Sequence, residues 1–359
     1  MTGYKERLDE LHKAIGNWLR PDNRELQTAI ERTVDEKLFT FPDIKHQILA
    51  LKKSVEHGDL DRWVERHRES LQLPETKKIV SLHAGNLPLA GFQDIVAVLL
   101  SGSSYLGKLS RKDPWLPESF LKSAESAGLE QITWSLNLDS LAGSEADALI
   151  FSGSPVSVGP VLDQVSEDNI VKPDASTLIR TAHYSVAWVG DLEPKTMKDL
   201  TEAVFRYGGR GCRSVAVVVS PYPLREISCS FTDYVEAYWL QNPQLLSPPP
   251  ALAQRAAYNR AIGLEYSWLD QFLIEEREEV PEENFILSWI EGGPERMKQF
   301  IESNRQGLQT VYLPAGTSPE ILRGAGVTPE WLYTAQRPSI DWKPDGVDTI
   351  GWLLEVFQG

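Results

Sequence analysis

Residues 77–114 read KKIVSLHAGNLPLAGFQDIVAVLLSGSSYLGKLSRKDP. A short run of β-formers, KKIVSLH at 77–83, gives way to an apolar helical segment, LAGFQDIVAVLLS at 89–101, and then to a second β-rich run, SYLGKL at 104–109. Two short strands separated by a helix form the unit in which the strands lie parallel and the helix crosses between them. The alternation continues with LPESFLKSAESAG (116–128) as helix and QITWSL (131–136) and DALIFSG (147–153) as strands, which predicts a doubly wound parallel sheet. A second α/β unit begins near Glu193, with KTMKDLTEAVFRY (195–207) as helix and SVAVVVS (214–220) as buried strand, and runs through LLSPPPAL to LQTVYLP (308–314). Ahead of both, the first 70 or so residues read as helices; Asp22 or Asn23 caps a segment whose Leu26, Ile30 and Val34 form one stripe, and these helices serve as a packing layer. The fold class is therefore α/β. Its expected organisation is a helical layer over 1–70, a first α/β domain over 71–192, a second over 193–314, and a tail over 315–359 that follows PAGTSPE and returns as a helix to the first domain.

Composition narrows the function classes. With 359 residues, 42% of them hydrophobic, the chain is long enough for two buried cores. Lysine and arginine number 36 against 51 aspartates and glutamates, a net charge of −15, which argues against nucleic acid or an anionic membrane as the main partner. An anionic ligand then requires a local basic patch. No run approaches the roughly 18 apolar residues of a membrane span, and the opening MTGYKERLDEL is charged, so the expectation is a cytoplasmic protein without membrane insertion. Two cysteines, Cys212 and Cys229, are too few for a disulfide framework or a multi-cysteine metal site, and the six histidines show no paired helical spacing, so no metal site is expected. A homo-oligomer is left open.

Cys229, in REISCSF, reads as a small packed hydrophobe. Cys212 is set differently, between a helix and a strand in RYGGRGCRSVAVVV (206–219). Gly208, Gly209 and Gly211 let backbone approach a ligand closely, and Arg210 and Arg213 favour the thiolate, the reactive form. The residues themselves leave two readings open: a reactive thiol, or a glycine turn flanked by solvated arginines.

Five segments, HAGNLPLAGFQDIVAVLLSGSSYLGKLSRKDP, DALIFSGSP, LIRTAHYSVAWVG, FRYGGRGCRSVAVVVSP and QRPSIDWKPDGVDTIGWL, together resemble in order and spacing the acyl-CoA reductase (LuxC-type) family, a branch of the aldehyde dehydrogenase superfamily, over residues 36–359. The resemblance implies an aldehyde-dehydrogenase-like architecture, with the first α/β domain binding a nicotinamide cofactor and the second carrying the nucleophile. It further implies reduction of an acyl-CoA, or an acyl group on a carrier protein, to the aldehyde through a covalent acyl-cysteine. Cys212 takes the nucleophile position, with Gly211, Arg213 and Gln336 lining the substrate cleft. Asn86 takes the place of an asparagine whose amide donates to the developing oxyanion, although before Pro88 it also reads as a turn residue. Lys108, with Ser110 and Arg111, matches the segment that holds the adenosine ribose. Arg111 stands where NAD-preferring relatives carry a glutamate, which favours NADPH over NADH because a guanidinium pairs with a 2′-phosphate. A solvated basic loop is the plain alternative for KLSRKD. Ser152, Gly153 and Ser154 in FSGSP match a motif at the nicotinamide end of the cofactor site, although the next glycine, Gly159, comes one residue late.

In LIRTAHYSVAWVG the resemblance places Arg180 where hydrolytic relatives have a water-activating glutamate. That substitution suits an enzyme passing hydride to an acyl-cysteine, since an activated water would discharge it to free acid. His183 and His83 are candidate bases for the thiol, though a lone histidine is more often structural. Two other classes stay open: a cysteine acyltransferase or thioesterase that needs no nicotinamide, and a non-catalytic scaffold that retains the fold.

Overall fold

The computed structural model describes residues 3–72, 77–181, 183–245, 248–269 and 271–358. It begins with four helices: α1 (Tyr4–Trp18), α2 (Arg24–Asp35), α3 (Phe41–Glu56) and α4 (Asp59–Arg66). Asn23 is the α2 cap, its Oδ1 accepting from the Leu26 N–H at 2.8 Å. The alternation then runs β1 (Lys78–Leu82), α5 (Phe92–Ser101), β2 (Ser104–Lys108), α6 (Trp115–Ala127), β3 (Ile132–Ser135), β4 (Ala146–Ser152), α7 (Pro155–Glu167) and β5 (Val171–Arg180). The five strands form one parallel sheet in the order β3-β2-β1-β4-β5. Winding proceeds outward from β1 through β2 and β3, then reverses across β1 to β4 and β5. The reversal leaves the carboxyl ends of β1 and β4 side by side, the switch point at which doubly wound sheets bind ligands.

The N-terminal helices cover this sheet as an apolar layer. Trp18 stacks on Phe92 with centroids 5.7 Å apart, meets Phe120 edge-on at 5.4 Å, and donates its indole N–H to Ser119 Oγ at 2.9 Å. α5 is buried at nine of its ten positions, Gln93 being the exception, because helices lie over it on the side away from the strands. Gln93 instead donates its amide to the Ile340 and Trp342 carbonyls, which ties the C-terminal stretch to α5 ahead of the last helix, Thr349–Gln358.

β6 (Tyr184–Trp188), α8 (Pro194–Phe205), β7 (Val215–Ser220), α9 (Leu224–Gln241), α10 (Pro250–Ile262), β8 (Tyr266–Trp268), β9 (Leu273–Glu275), β10 (Ile286–Glu291), α11 (Pro294–Ser303), β11 (Leu308–Leu313) and β12 (Glu330–Trp331) build a second sheet. Its order is β12-β11-β6-β7-β10-β9-β8, parallel except for the β8–β9 pair. Val217, Val218 and Val219 of β7 are buried on both faces, as a central parallel strand requires.

The α/β architecture with a helical layer is as expected, but the compact units differ from the expected segments. One unit is Met1–Ala182 with Pro338–Gly359, and the other is His183–Arg337. The first therefore ends ten residues before the boundary at 192, because β6 pairs with β7 and β11 and not with the first sheet. The tail also divides. Residues 315–337 stay with the second unit through β12, and the return starts at Pro338. Strand pairing, not position in the chain, sets these limits. Among the described residues no helix is long and apolar enough to cross a membrane.

Candidate functional site

The first unit gathers the residues expected to hold a nucleotide at the ends of three adjacent strands. Lys108 closes β2, the segment with Asn86 follows β1, and Ser152, Gly153 and Ser154 follow β4. Burial, and then the neighbouring Arg111, holds the Lys108 ammonium below its ordinary pKa, so two like charges share a partly desolvated corner. Arg111 is exposed and donates to Asn137 Oδ1 at 2.8 Å, which bridges the β2 and β3 ends. Ser110 Oγ accepts from the Lys112 N–H at 3.2 Å, inside the loop. Ser154 is the residue before α7, whose first turn has no side-chain cap; its hydroxyl lies 2.9 Å from Ser157 Oγ. Such a helix start presents N–H groups suited to an anion. Gly153 has a reason of its own, since a Cβ there would lie 2.5 Å from the Phe151 ring. Gly159 lies inside α7 with open space around it.

The loop after β1 packs against the loop after β2. The His83 N–H donates to the Lys108 carbonyl at 3.1 Å. A Cβ at Gly85 would sit 2.1 Å from Ser110 Oγ, so only glycine admits this approach. Asn86 is half-buried, and among the described residues its amide has no hydrogen-bond partner. An asparagine serving a turn bonds nearby backbone, and this one does not. His83 is buried with its Nε2 at 2.5 Å from the Tyr105 hydroxyl, and its ring leaves no room for a Cβ at Gly91. Burial, only partly opposed by Asp94, brings its pKa down to about 4, so it is neutral and packed.

Asp113 was not singled out from the sequence; its only signal was an aspartate before proline in SRKDP. It is buried, accepts the Leu89 N–H on Oδ2 at 2.6 Å, and burial raises its pKa to about 7, partly offset by that bond. The folded state therefore holds this proton more tightly than the unfolded chain, and stability falls as pH rises from about 4 to about 7. Asp113→Asn should remove that dependence. Chemical denaturation should show the variant gaining about 2 to 3 kcal/mol on the natural chain between pH 5 and pH 8. Equal slopes for the two chains would mean that Asp113 stays ionised throughout.

The second unit carries Cys212 in the connection from α8 to β7. α8 ends at Phe205, and the chain then turns through left-handed backbone at Tyr207 (φ 58), Gly208 (φ 70), Gly209 (φ 70) and Gly211 (φ 104). The glycines take these angles without strain, whereas Tyr207 takes them under it. Packing anchors Tyr207, which is buried. The turn is fastened on both sides of the half-buried thiol. Ser185 of β6 donates to the Cys212 carbonyl at 2.7 Å, and Ser214 donates its hydroxyl to the Arg210 carbonyl at 2.8 Å while its N–H donates to the Gly211 carbonyl at 3.0 Å.

Arg213 and Gln336, expected to line the cleft, are both buried and hydrogen-bonded within the second unit. Arg213 is buried, bonds both Glu330 carboxylate oxygens at 2.7 and 3.2 Å, and donates to the Ala335 and Thr334 carbonyls. Burial pulls its guanidinium down, but Tyr312, Glu330 and, last, Cys212 together hold it above its ordinary pKa. It is thus an internal clamp, tied to Glu330 and to the 334–335 backbone. Gln336, buried as well, donates to the Ala203 carbonyl and to Ser214 Oγ, so it braces the turn. His183 packs beside Gly307 ahead of β6. Cys229 is exposed on α9, off the Leu224, Ile227, Phe231 and Val235 stripe, and is not the packed hydrophobe expected.

Arg180, at the end of β5, is buried and committed to other partners. Its Nη1 pairs with Asp94 of α5 and its Nη2 donates to Thr349 Oγ1 at 2.7 Å.

No family profile and no curated protein matches the sequence. Solved structures do match. Indole-3-acetaldehyde dehydrogenase in complex with NAD+ superposes with a TM-score of 0.61 at 14% identity, covering 92% of this chain and 76% of that one. The chain has an aldehyde dehydrogenase-like fold. A putative aldehyde dehydrogenase from Burkholderia cenocepacia gives a TM-score of 0.58 at 12% identity over 87% of this chain and 74% of that one. For aldehyde dehydrogenase 21 from Physcomitrella patens, in complex with succinate, the values are 0.55 and 12%, over 98% and 88%. In this aldehyde dehydrogenase-like fold the sheet of β1 to β5 belongs to the first unit and the sheet containing β7 to the second, and they carry the residues described above.

Proposed function

We propose that the protein reduces an acyl thioester, an acyl-CoA or its carrier-protein equivalent, to the aldehyde with NADPH, through an acyl-enzyme on Cys212. The observation that carries this reading is Arg180. The resemblance puts it where a hydrolytic relative activates water, and here that position is a guanidinium locked to Asp94 and Thr349. That position supplies no glutamate to activate water against an acyl-cysteine, and the Asp94 carboxylate beside it is engaged by the guanidinium. The solved neighbour with bound NAD+ supports a nicotinamide nucleotide as the cofactor class.

The residues of the first unit fit a dinucleotide. Lys108 and Arg111 supply cationic donors, Ser152 and Ser154 stand beside the uncapped start of α7, and Val156 on its first turn is 86% exposed, an apolar surface for a flat ring. When bound, the reduced cofactor supplies hydride. Cys212 as thiolate attacks the thioester carbonyl, the C–S bond to the carrier breaks, and the carrier leaves as thiolate. Asn86 donates its amide to the oxygen on which charge develops. Aldehyde formation breaks the acyl–Cys212 bond and returns the thiolate, so the balance is acyl thioester, NADPH and a proton in, and aldehyde, carrier thiol and NADP+ out.

Loss of NADPH absorbance on adding a medium- or long-chain acyl-CoA tests the reading. Acylation of Cys212 without NADPH oxidation would replace it by acyl transfer or hydrolysis, and silence in both assays would leave a scaffold. Cofactor choice follows from Arg111. NADPH should outperform NADH by roughly tenfold or more, because a guanidinium forms paired charge-assisted bonds to the 2′-phosphate. Arg111→Glu should reverse the order by replacing attraction with repulsion. Equal use of both donors by the natural chain would make the Arg111–Asn137 contact a solvated surface feature only.

A further inference from the structure

We infer that Asp113 is a positioning residue that locks the Asn86 loop to the nucleotide loop, so that the oxyanion donor and the cofactor contacts are set as one body. The inference rests on the roles proposed above for Asn86, Lys108 and Arg111. Its geometry is independent of them.

Asp113 ends the loop that begins after Lys108, and its own N–H donates back to the Ser110 carbonyl at 3.1 Å, which makes that loop a closed turn. From this turn its carboxylate reaches the other loop and takes the Leu89 N–H on Oδ2 at 2.6 Å. Leu89 lies three residues after Asn86 and has φ 58, a left-handed conformation that a branched side chain adopts only when something holds it. Its side chain is buried as well, so the carboxylate fastens the backbone where the chain swings from the Asn86 segment into α5. The contacts His83–Lys108 and Gly85–Ser110 close the same two loops nearer the strands. Three ties in a row fasten the pair of loops, and the one made by Asp113 is the last along the chain.

Asp113 is 1% exposed and among the described residues its Oδ1 has no hydrogen-bond partner, so the bond from the Leu89 N–H to Oδ2 is what holds this buried side chain to the other loop.

Asp113→Ala and Asp113→Asn in the full chain decide it by three measurements: amide hydrogen exchange, NADPH affinity by fluorescence, and single-turnover reduction of acyl-CoA. In the alanine variant, exchange should rise across residues 83–91 and 108–112 but not in β4 or α7. The NADPH dissociation constant should rise several-fold, and the single-turnover rate should fall about 10- to 100-fold, as a small misplacement of reacting groups produces. Asparagine, whose amide oxygen still accepts the Leu89 N–H, should recover most of all three. Should alanine leave too little folded protein, Asp113→Leu fills the space without an acceptor and is read in the same way. Natural exchange and affinity in the alanine variant, with only a lower melting temperature, would overturn the inference, as would an asparagine variant no better than alanine. If the natural chain binds NADPH but does not reduce acyl-CoA, the proposed reaction falls while exchange and affinity still decide the role of Asp113.

Discussion

Cys212→Ala abolishes acyl-CoA reduction, by at least about 10⁴-fold, while NADPH binding persists; this is the expected result of removing a nucleophile that works through a covalent intermediate. The substitution is structurally mild. The bond from Ser185 goes to the Cys212 carbonyl, and the Ser214 bonds go to Arg210 and Gly211, so all remain without the sulfur. The left-handed turn is set by Tyr207 and the glycines, none of which is touched. The groups assigned to the nucleotide belong to the other compact unit and are unchanged. Mass spectrometry after mixing with acyl-CoA should find an acyl adduct on the natural chain and none on the variant. Cys229→Ser, on the exposed side of α9, should behave as the natural chain does. Substantial reduction by Cys212→Ala would rule out the covalent route.

Asn86→Ala should lower the turnover number by about 100- to 1,000-fold, the range found when one oxyanion donor is removed. The structure makes this a clean test. Among the described residues no internal hydrogen bond uses the Asn86 amide, so the variant should keep the melting temperature of the natural chain. A fall in turnover with an unchanged Michaelis constant places the interaction in the transition state. An unchanged turnover number with a poorer Michaelis constant would instead make Asn86 a substrate-positioning residue, and a lower melting temperature would revive the turn role.

Much of this protein was legible in its sequence because the signals are local. The run 77–109 announces a strand, a helix and a strand through composition and length, and the structure places β1, α5 and β2 there. Cys212 could be assigned to a helix-to-strand connection because glycines interrupt the helical pattern and valines start the strand. The helical layer showed in the apolar stripe of its segments. These features depend on backbone propensity and on which side chains avoid water, and both are properties of neighbouring residues.

The rest depended on which strands pair. Arg213 looked like a charge beside the thiol; it is bound to Glu330, 117 residues later, because β12 joins the sheet edge beside β11. Arg180 meets Asp94, 86 residues earlier, only once β5 and α5 share a unit. Asp113 carried no signal beyond an aspartate before proline, yet it is buried because the β2–α6 loop folds onto Leu89. A charged residue reads the same in sequence whether it meets solvent or a partner far along the chain. Its environment is decided by sheet order, which arises from the packing of whole elements. Local propensity determined the elements and their sequence; tertiary structure alone decided where the domains divide, which charges are compensated, and which side chains remain available for chemistry.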